Sequence, residues 1–412
     1  MPGRVLHILS QRPSRTGSGV TLEAMVRQAA RAGWHQAAVV GVPAHETAPR
    51  VGTLAASAIH AVGFAAEPGG AGDLDFPVPG MSDVMPYVST IWSTMTDDQL
   101  ARYRTVWRQH LARVIADFVP DILHTHHIWL VSSLLKDVAP DIPIVTTCHS
   151  TGLRQMGLTP GLADEVRRGC ARNDHFCVLR DDHGTLLRES LQVDAARITV
   201  IGAGYRPDIF HRDGAVTANA ENLLYTGKYS HAKGLPWLLD AFLRLTVTHP
   251  GLRLHIAGSG AGNEAEALRH RMESLAPAIV LHGQLSQPQL ADLMRRCAVC
   301  VLPSFYEGVP LVLVEAAACG CRLVATALPG VVDRIQPHVA DRLELVSLPR
   351  LRGSDQPVAA DLPRFTDDLT DALAAAIDQA AAAGPQPSAP LTPFSWESVF
   401  GRVQGVWQDL LT

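Results

Sequence analysis

Short apolar runs rich in β-branched residues recur along the first half of the chain, at Val5 to Leu9, Ala37 to Val42, Ile122 to His124, Ile144 to Thr147, His175 to Leu179 and Ile198 to Ile201, with helical segments between them. After a polar, glycine-containing stretch from His211 to Glu221 the rhythm restarts, with runs at Asn222 to Thr226, Leu252 to Ala257, Ile279 to Leu281, Cys297 to Leu302 and Arg322 to Ala325. Strands that alternate with helices build parallel sheets covered on both faces. Two successive sets therefore predict an α/β chain of two doubly wound domains, with ligands bound at the carboxyl ends of strands in a cleft between them. The expected division is 1–205 and 206–394, and a length of 412 residues agrees with two cores.

The remaining segments carry less pattern. An alanine-rich helix is expected around Leu369 to Ala383, followed by Gly384-Pro385-Gln386-Pro387 and by a last amphipathic helix opening at Phe394-Ser395-Trp396-Glu397. Ser395 suits its N-cap, although Ser398 at the third helical position leaves a capping box incomplete. The stretch from Pro68 to Tyr87 is long and non-periodic, which inside a compact domain points to a functional loop. Ala340 to Pro363 is irregular and proline-rich and yields no element.

Three segments could carry chemistry. The first is Ser304-Phe305-Tyr306-Glu307-Gly308-Val309-Pro310-Leu311-Val312-Leu313-Val314-Glu315, directly after a predicted strand. Glu307 falls on the loop, Pro310 suits the first helical turn, and Glu315 lies further along the helix. Amides at such a helix start have no internal partner and carry the positive end of the dipole, so a nucleotide diphosphate fits there. Glutamates on helices are more often mere caps or solvated surface. Against that reading, an acidic residue within the apolar stretch Val309 to Ala318 is costly to bury without a partner.

The second segment is Tyr225-Thr226-Gly227-Lys228-Tyr229-Ser230-His231-Ala232-Lys233-Gly234, which holds two of the only three lysines, the third being Lys136. A compact positive charge there could neutralise a diphosphate leaving group. The third is Arg15-Thr16-Gly17-Ser18-Gly19, between the first strand and a helix from about Thr21, where Gly17 and Gly19 would let the backbone approach a ligand. Gly258-Ser259-Gly260-Ala261-Gly262 is a similar glycine loop. No glycine-lysine-serine phosphate loop is present, which removes the central part of an ATPase.

Histidines gather at His124, His126, His127 and His149. They could hold a metal or be packed and hydrogen-bonded at strand ends; no carboxylate stands at ligand spacing, so no metal site is assigned. His149 is the candidate for sugar contact, and His126 and His127 are candidates for the acceptor. Cys297, Cys300, Cys319 and Cys321 have a zinc-like spacing but fall in apolar runs, where buried thiols are the stronger reading. Seven cysteines argue for reduced thiols. A net charge of −5 and a pI near 6.4 give no basic field for nucleic acid. The N-terminal apolar run is too short for a membrane span and lacks a signal-peptide layout, so a cytoplasmic protein is expected, with contact at the inner face of the membrane left open.

Taken together, these features resemble the glycosyltransferases of the large retaining family 4, which have the GT-B fold of two Rossmann-like domains. The likeness covers nearly the whole chain. In that family a Glu-x7-Glu motif follows a strand ending in Pro-Ser, as Glu307 and Glu315 follow Pro303-Ser304 here. The resemblance implies that Glu307 holds donor-sugar hydroxyls, that Glu315 holds the nucleotide ribose, and that Gly308, Val309 and Leu311 lie along the donor. It places Lys228, where the family usually has arginine, and Lys233 on the donor diphosphate, Gly17, Gly19 and Gly258 at the donor, and His149 on the transferred sugar. It further implies a hinge at Ile198 to Tyr205, a closing helix over 395–412 returning to the first domain, and no divalent metal or cofactor. The expected partners are a nucleotide-sugar donor and a sugar, lipid-linked or small-molecule acceptor, in surface polysaccharide or glycolipid synthesis. A nucleotide-sugar 2-epimerase and a non-catalytic nucleotide-sugar-binding partner are the alternatives.

Overall fold

The computed structural model describes residues 3–412 apart from 14–15, 47–48, 83–84, 86, 215, 354 and 384–390. Arg15 of the first glycine segment and the Gly384 to Pro387 stretch thus lie outside the described residues. The chain forms two compact units, Met1–Ala203 with Trp396–Thr412, and Gly204–Ser395.

The first unit contains strands β1 (Arg4–Leu9), β2 (His35–Pro43), β3 (Ile59–Phe64), β4 (Ile122–His126), β5 (Ile144–Cys148), β6 (His175–Val178) and β7 (Ile198–Val200) in one parallel sheet of order β3-β2-β1-β4-β5-β6-β7. Helices α1 (Gly17–Arg31), α2 (Asp97–Phe118), α3 (Leu130–Val138), α4 (Ser150–Leu158), α5 (Pro160–Cys170) and α6 (Asp181–Leu191) cover it. Sheets buried on both faces need nearly continuous apolar strands rather than alternating ones. In β1, Val5, Leu6, Ile8 and Leu9 are all fully buried. Helix α2 starts where Thr96 and Gln99 form a capping box, each side chain serving the other's backbone N–H at 3.2 and 3.0 Å. The described residues of the stretch from Pro68 to Tyr87 form no helix or strand, yet Leu74, Phe76, Val78 and Met81 are buried in the core beside Trp92 and Tyr103.

The second unit holds β8 (Asn219–Thr226), β9 (Arg253–Ala257), β10 (Ile279–Gly283), β11 (Cys297–Leu302), β12 (Arg322–Thr326) and β13 (Leu343–Val346), parallel and ordered β10-β9-β8-β11-β12-β13. Its helices are α7 (Leu235–Leu245), α8 (Asn263–Ser274), α9 (Gln287–Arg296), α10 (Leu311–Cys319), the single turns α11 (Pro329–Val332) and α12 (Gln336–Val339), and α13 (Leu362–Ala383). The segment that yielded no element contains β13, the small antiparallel pair β14 (Leu351–Arg352) and β15 (Gln356–Pro357), and the first turn of α13. Cys297, Cys300, Cys319 and Cys321 are buried free thiols, and the Cys321 thiol donates towards the carbonyls of Met294 and Cys297 at 3.2 and 3.3 Å.

The last helix, α14 (Trp396–Leu410), belongs to the first unit. Its buried face comprises Trp396, Val399, Phe400, Val403, Val406 and Trp407, a helical spacing that packs against Val5, Met25, Trp34 and Ile122. Trp407 is fully buried, edge-on to Trp34 at 4.9 Å and to His124 at 5.4 Å. Replacing Trp407 with Ala is expected to destabilise the first unit by about 3–5 kcal/mol, the range for removing a large buried aromatic. Denaturant unfolding with separate probes for the two units checks this, and a loss below ~1 kcal/mol would contradict the packing role.

Candidate active site

In each sheet the strand order reverses at one place, β1/β4 in the first unit and β8/β11 in the second. Connections leaving the carboxyl ends of such a pair run to opposite faces and leave a crevice between them. The sequence candidates gather at these two places.

In the second unit, β8 leads into residues 227–234 and β11 into residues 303–310. A single helical turn, His231–Lys233, carries Lys233 to Gly234, whose φ of 70° is left-handed. A Cβ at Gly234 would collide with the Pro303 carbonyl, so only glycine lets the two connections touch. The Phe305 N–H donates to the Ala232 carbonyl at 2.9 Å and ties them together. As a result Lys233 Nζ lies 2.7 Å from Glu307 Oε1, and Ser304 Oγ donates to the same oxygen at 2.8 Å. Lys228 is exposed on the same connection, and its carbonyl accepts from the buried Tyr225 hydroxyl at 2.7 Å. Gly258, with φ of 144°, presses on the Gly227 carbonyl, while Gly227 N–H donates to Ala257 and Tyr229 N–H to Ser259 at 3.0 and 3.2 Å. The glycine loop after β9 therefore clips the lysine-bearing loop in place through its backbone.

Pro310 is the N-cap of α10 rather than part of its first turn. Its φ of −76° suits a helix but its ψ of 86° does not, so the helix begins one residue later. No side chain caps this end, which leaves the positive pole of α10 beside the partly exposed Gly308, Val309 and Leu311. Glu315, one turn further, is partly buried, and burial pushes its carboxyl from 4.5 up to about 8. A carboxyl held in this way gains from a hydroxyl partner.

In the first unit, α1 begins at Gly17, about one turn before the expected Thr21. Thr16 causes this: its hydroxyl accepts from Gly19 N–H at 3.2 Å, which closes the first turn early. Gly17 and Gly19 are thus helical, and a Cβ at Gly17 would meet nothing within 4 Å. His126 ends β4, His127 follows with φ of 73°, and His149 is the N-cap of α4. His126 Nδ1 and His149 Nε2 are 3.3 Å apart, and the His127 and His149 rings are 4.7 Å apart. His126 stacks on His124 at 5.2 Å, and His124 Nε2 meets Thr147 Oγ1 at 2.7 Å. Burial lowers His149 to about 4, and burial with neighbouring imidazoles holds His124, His126 and His127 well below 6.5. The cluster is therefore neutral at pH 7 and supplies hydrogen bonds rather than charge. Among the described residues no group of three or more His, Cys, Asp or Glu is arranged to hold a metal ion.

Lys233 with Glu307, and His126 and His127 with His149, are thus brought together, whereas Lys228 and Glu315 are not joined to the first pair by a hydrogen bond or ion pair. Sequence reasoning passed over Ser304, Gly234 and Thr147 as contributors. Gly234 had a signal, because a glycine just after a short turn is the residue that takes a left-handed φ most readily. Thr147 had none, since its partner lies on another strand.

Comparison with known proteins agrees with this architecture. A family model described as "Glycosyl transferase 4-like domain" matches residues 16–204, and one described as "Glycosyl transferases group 1" matches residues 220–347. A glycogen synthase of Mycobacterium tuberculosis strain H37Rv is 32% identical over 226 residues, 52% of this chain and 54% of that protein. A D-inositol 3-phosphate glycosyltransferase of Mycobacterium avium is 25% identical over 301 residues, 67% of this chain and 66% of that protein. The chain thus spans about half the length of the glycogen synthase it matches. Sucrose-phosphate synthase from Thermosynechococcus elongatus superposes with a TM-score of 0.64 at 17% identity, over 99% of both chains. The E. coli trehalose-6-phosphate structure bound with UDP-2-fluoro glucose gives 0.64 at 13% identity, also over 99% of both. At such identities the likeness shows the fold, and that fold is GT-B. The chain belongs to the group 1 glycosyltransferases.

The pKa of Glu315 gives a test of its environment. The folded carboxyl keeps its proton up to about 8 while the unfolded one loses it near 4.5. The group's stabilising contribution is therefore complete below 4.5 and is lost as pH rises through 8. Glu315→Gln keeps the neutral form, so its melting temperature should exceed the parent's at pH 8.5 by a few degrees and converge with it near pH 4.5. A difference independent of pH would contradict the desolvated carboxyl.

Proposed function

We propose that this chain transfers a sugar, with retention of anomeric configuration, from a nucleoside diphosphate sugar to a hydroxyl acceptor. The observation that carries the reading is the Lys233–Glu307 pair at the β8/β11 reversal, beside the uncapped start of α10. Both partners are groups that a donor needs. Without a donor they neutralise each other; with one, the Lys233 ammonium turns to the diphosphate and Glu307 is released to sugar hydroxyls. Lys228 adds a second positive charge, Gly308, Val309 and Leu311 line the phosphate path at the helix start, and Gly258 holds the lysine loop. Glu315 takes the ribose hydroxyls, which give its desolvated carboxyl the partner it lacks.

In the first unit His149 contacts the transferred sugar, His126 and His127 stand on the acceptor side, and Gly17 and Gly19 carry no side chain at the first turn of α1, where they meet the donor. The bond from the anomeric carbon to the diphosphate oxygen breaks on the face where the acceptor oxygen bonds. The acceptor's proton passes to the departing diphosphate, whose charge Lys228, Lys233 and the α10 amides stabilise. No step calls for a divalent cation or a cofactor. Supporting the donor class, the E. coli relative is described with UDP-2-fluoro glucose and Anabaena HepE with UDP-glucose. The resemblance carries the setting, assembly of a surface polysaccharide or glycolipid at the inner face of the membrane; no described helix is long and apolar enough to cross one.

The test is incubation with a panel of nucleotide sugars and hydroxylic acceptors, beginning with UDP-glucose, with the product anomer read by NMR. Release of an isomerised nucleotide sugar without acceptor would replace transfer with 2-epimerisation. Lys233→Ala should lower turnover by about a hundredfold, the scale for losing one charge-stabilising donor. Near-normal turnover would refute its role. Turnover should persist in excess EDTA, and a loss restored by Mg²⁺ would overturn the metal-free reading.

A further inference from the structure

His126 sits beside His149 in a way that decides which nitrogen of His149 carries the proton. Two facing imidazole nitrogens, His126 Nδ1 and His149 Nε2, lie 3.3 Å apart, with the rings 26° from parallel. Each neutral imidazole has one N–H and one bare nitrogen, so the pair shares a single proton across this contact. Both rings are kept neutral by burial, and His149 also sits at the start of α4, where the helix dipole disfavours a cation.

The direction of the bond follows from the far side of His126. Its Nε2 is buried and has no partner. Were Nδ1 the acceptor, Nε2 would carry a buried N–H with nothing to receive it. Were Nδ1 the donor, Nε2 would be a bare lone pair, and buried orphaned donors are rarer than under-used acceptors. His126 cannot turn away, because its ring lies face to face with His124, only 4° from parallel, and His124 is fixed by Thr147 and wedged by Trp407.

We propose that His126 is a positioning residue: its Nδ1–H donates to His149 Nε2 and holds His149 in the tautomer that carries its proton on Nδ1. His149 Nδ1 makes no hydrogen bond to a described residue, and the residue as a whole keeps 8% exposure. The nitrogen that remains for a ligand is therefore a donor. His149 selects ligand oxygens that accept, such as a sugar hydroxyl oxygen, over ligand N–H groups. The link to the sugar rests on the proposed transfer reaction; the tautomer does not.

The experiment labels histidine with ¹³C and ¹⁵N in the full chain and reads ring-nitrogen shifts of His149 without ligand, alongside steady-state kinetics. In the parent, His149 should appear as the Nδ1–H tautomer. His126→Asn sets an amide nitrogen near the place of Nδ1 and should preserve the Nδ1–H tautomer of His149. His126→Leu should shift His149 towards Nε2–H and lower kcat about tenfold to a hundredfold, with the donor KM changed less than about threefold. An Nε2–H tautomer in the parent, or an unchanged tautomer in a folded His126→Leu, would overturn the proposal. Should His126→Leu not fold, the parent and His126→Asn spectra still decide. Absence of transfer with every nucleotide sugar, with the parent tautomer as expected, would fall on the proposed reaction alone.

Discussion

The second unit's site rests on two places where main chain touches main chain. At Gly234 the connection after β8 lies on the Pro303 carbonyl, and at Gly258 the loop after β9 lies on Gly227. Neither approach tolerates a side chain, and both glycines have positive φ. These contacts remove the freedom that a loop lysine would otherwise have, so the ammonium of Lys233 meets the carboxylate of Glu307 at a set position rather than sampling solvent. The polar chemistry therefore depends on backbone geometry, and the side chains are consequences of it.

The two units solve the same electrostatic problem differently. Around β8 and β11, charge is retained and compensated: a lysine and a glutamate share a partly buried pair, with Ser304 on the same oxygen. Partial exposure keeps the desolvation of that pair modest. Around β1 and β4, charge is avoided, because His124, His126, His127 and His149 are buried together and all remain neutral. A charged donor diphosphate suits the first arrangement, and a set of hydroxyls suits the second.

Much of this was legible in the order of residues. Each of the strands expected from an apolar run is present, since strands buried on both faces write themselves as continuous hydrophobic runs. The strands that escaped notice are β3 and β13, an edge strand in each parallel sheet, and the two-residue pair β14 and β15. Ile59, His60 and Ala61 in β3 and Leu343, Glu344 and Leu345 in β13 are only partly buried, so composition marks them weakly. Helix α1 was misplaced by a turn because glycines read as loop, whereas Thr16 caps them into a helix. At the site, the motif residues were legible as types at a spacing. Their pairing was not: the Lys233 contact with Glu307 joins residues 74 positions apart, and that of His126 with His149 spans 23. Such contacts follow from sheet order, which local pattern does not encode.

The first unit is discontinuous, because residues Trp396–Thr412 return to it after the whole of the second unit has been passed. Trp407 forms one wall around His7 and His124, so that core stays open until the ribosome has delivered the final helix. The second unit is continuous from Gly204 to Ser395 and can close beforehand. Synthesis order and maturation order are thereby inverted: the domain begun first is finished last, and an aborted translation product carries an apolar sheet face in want of its cover.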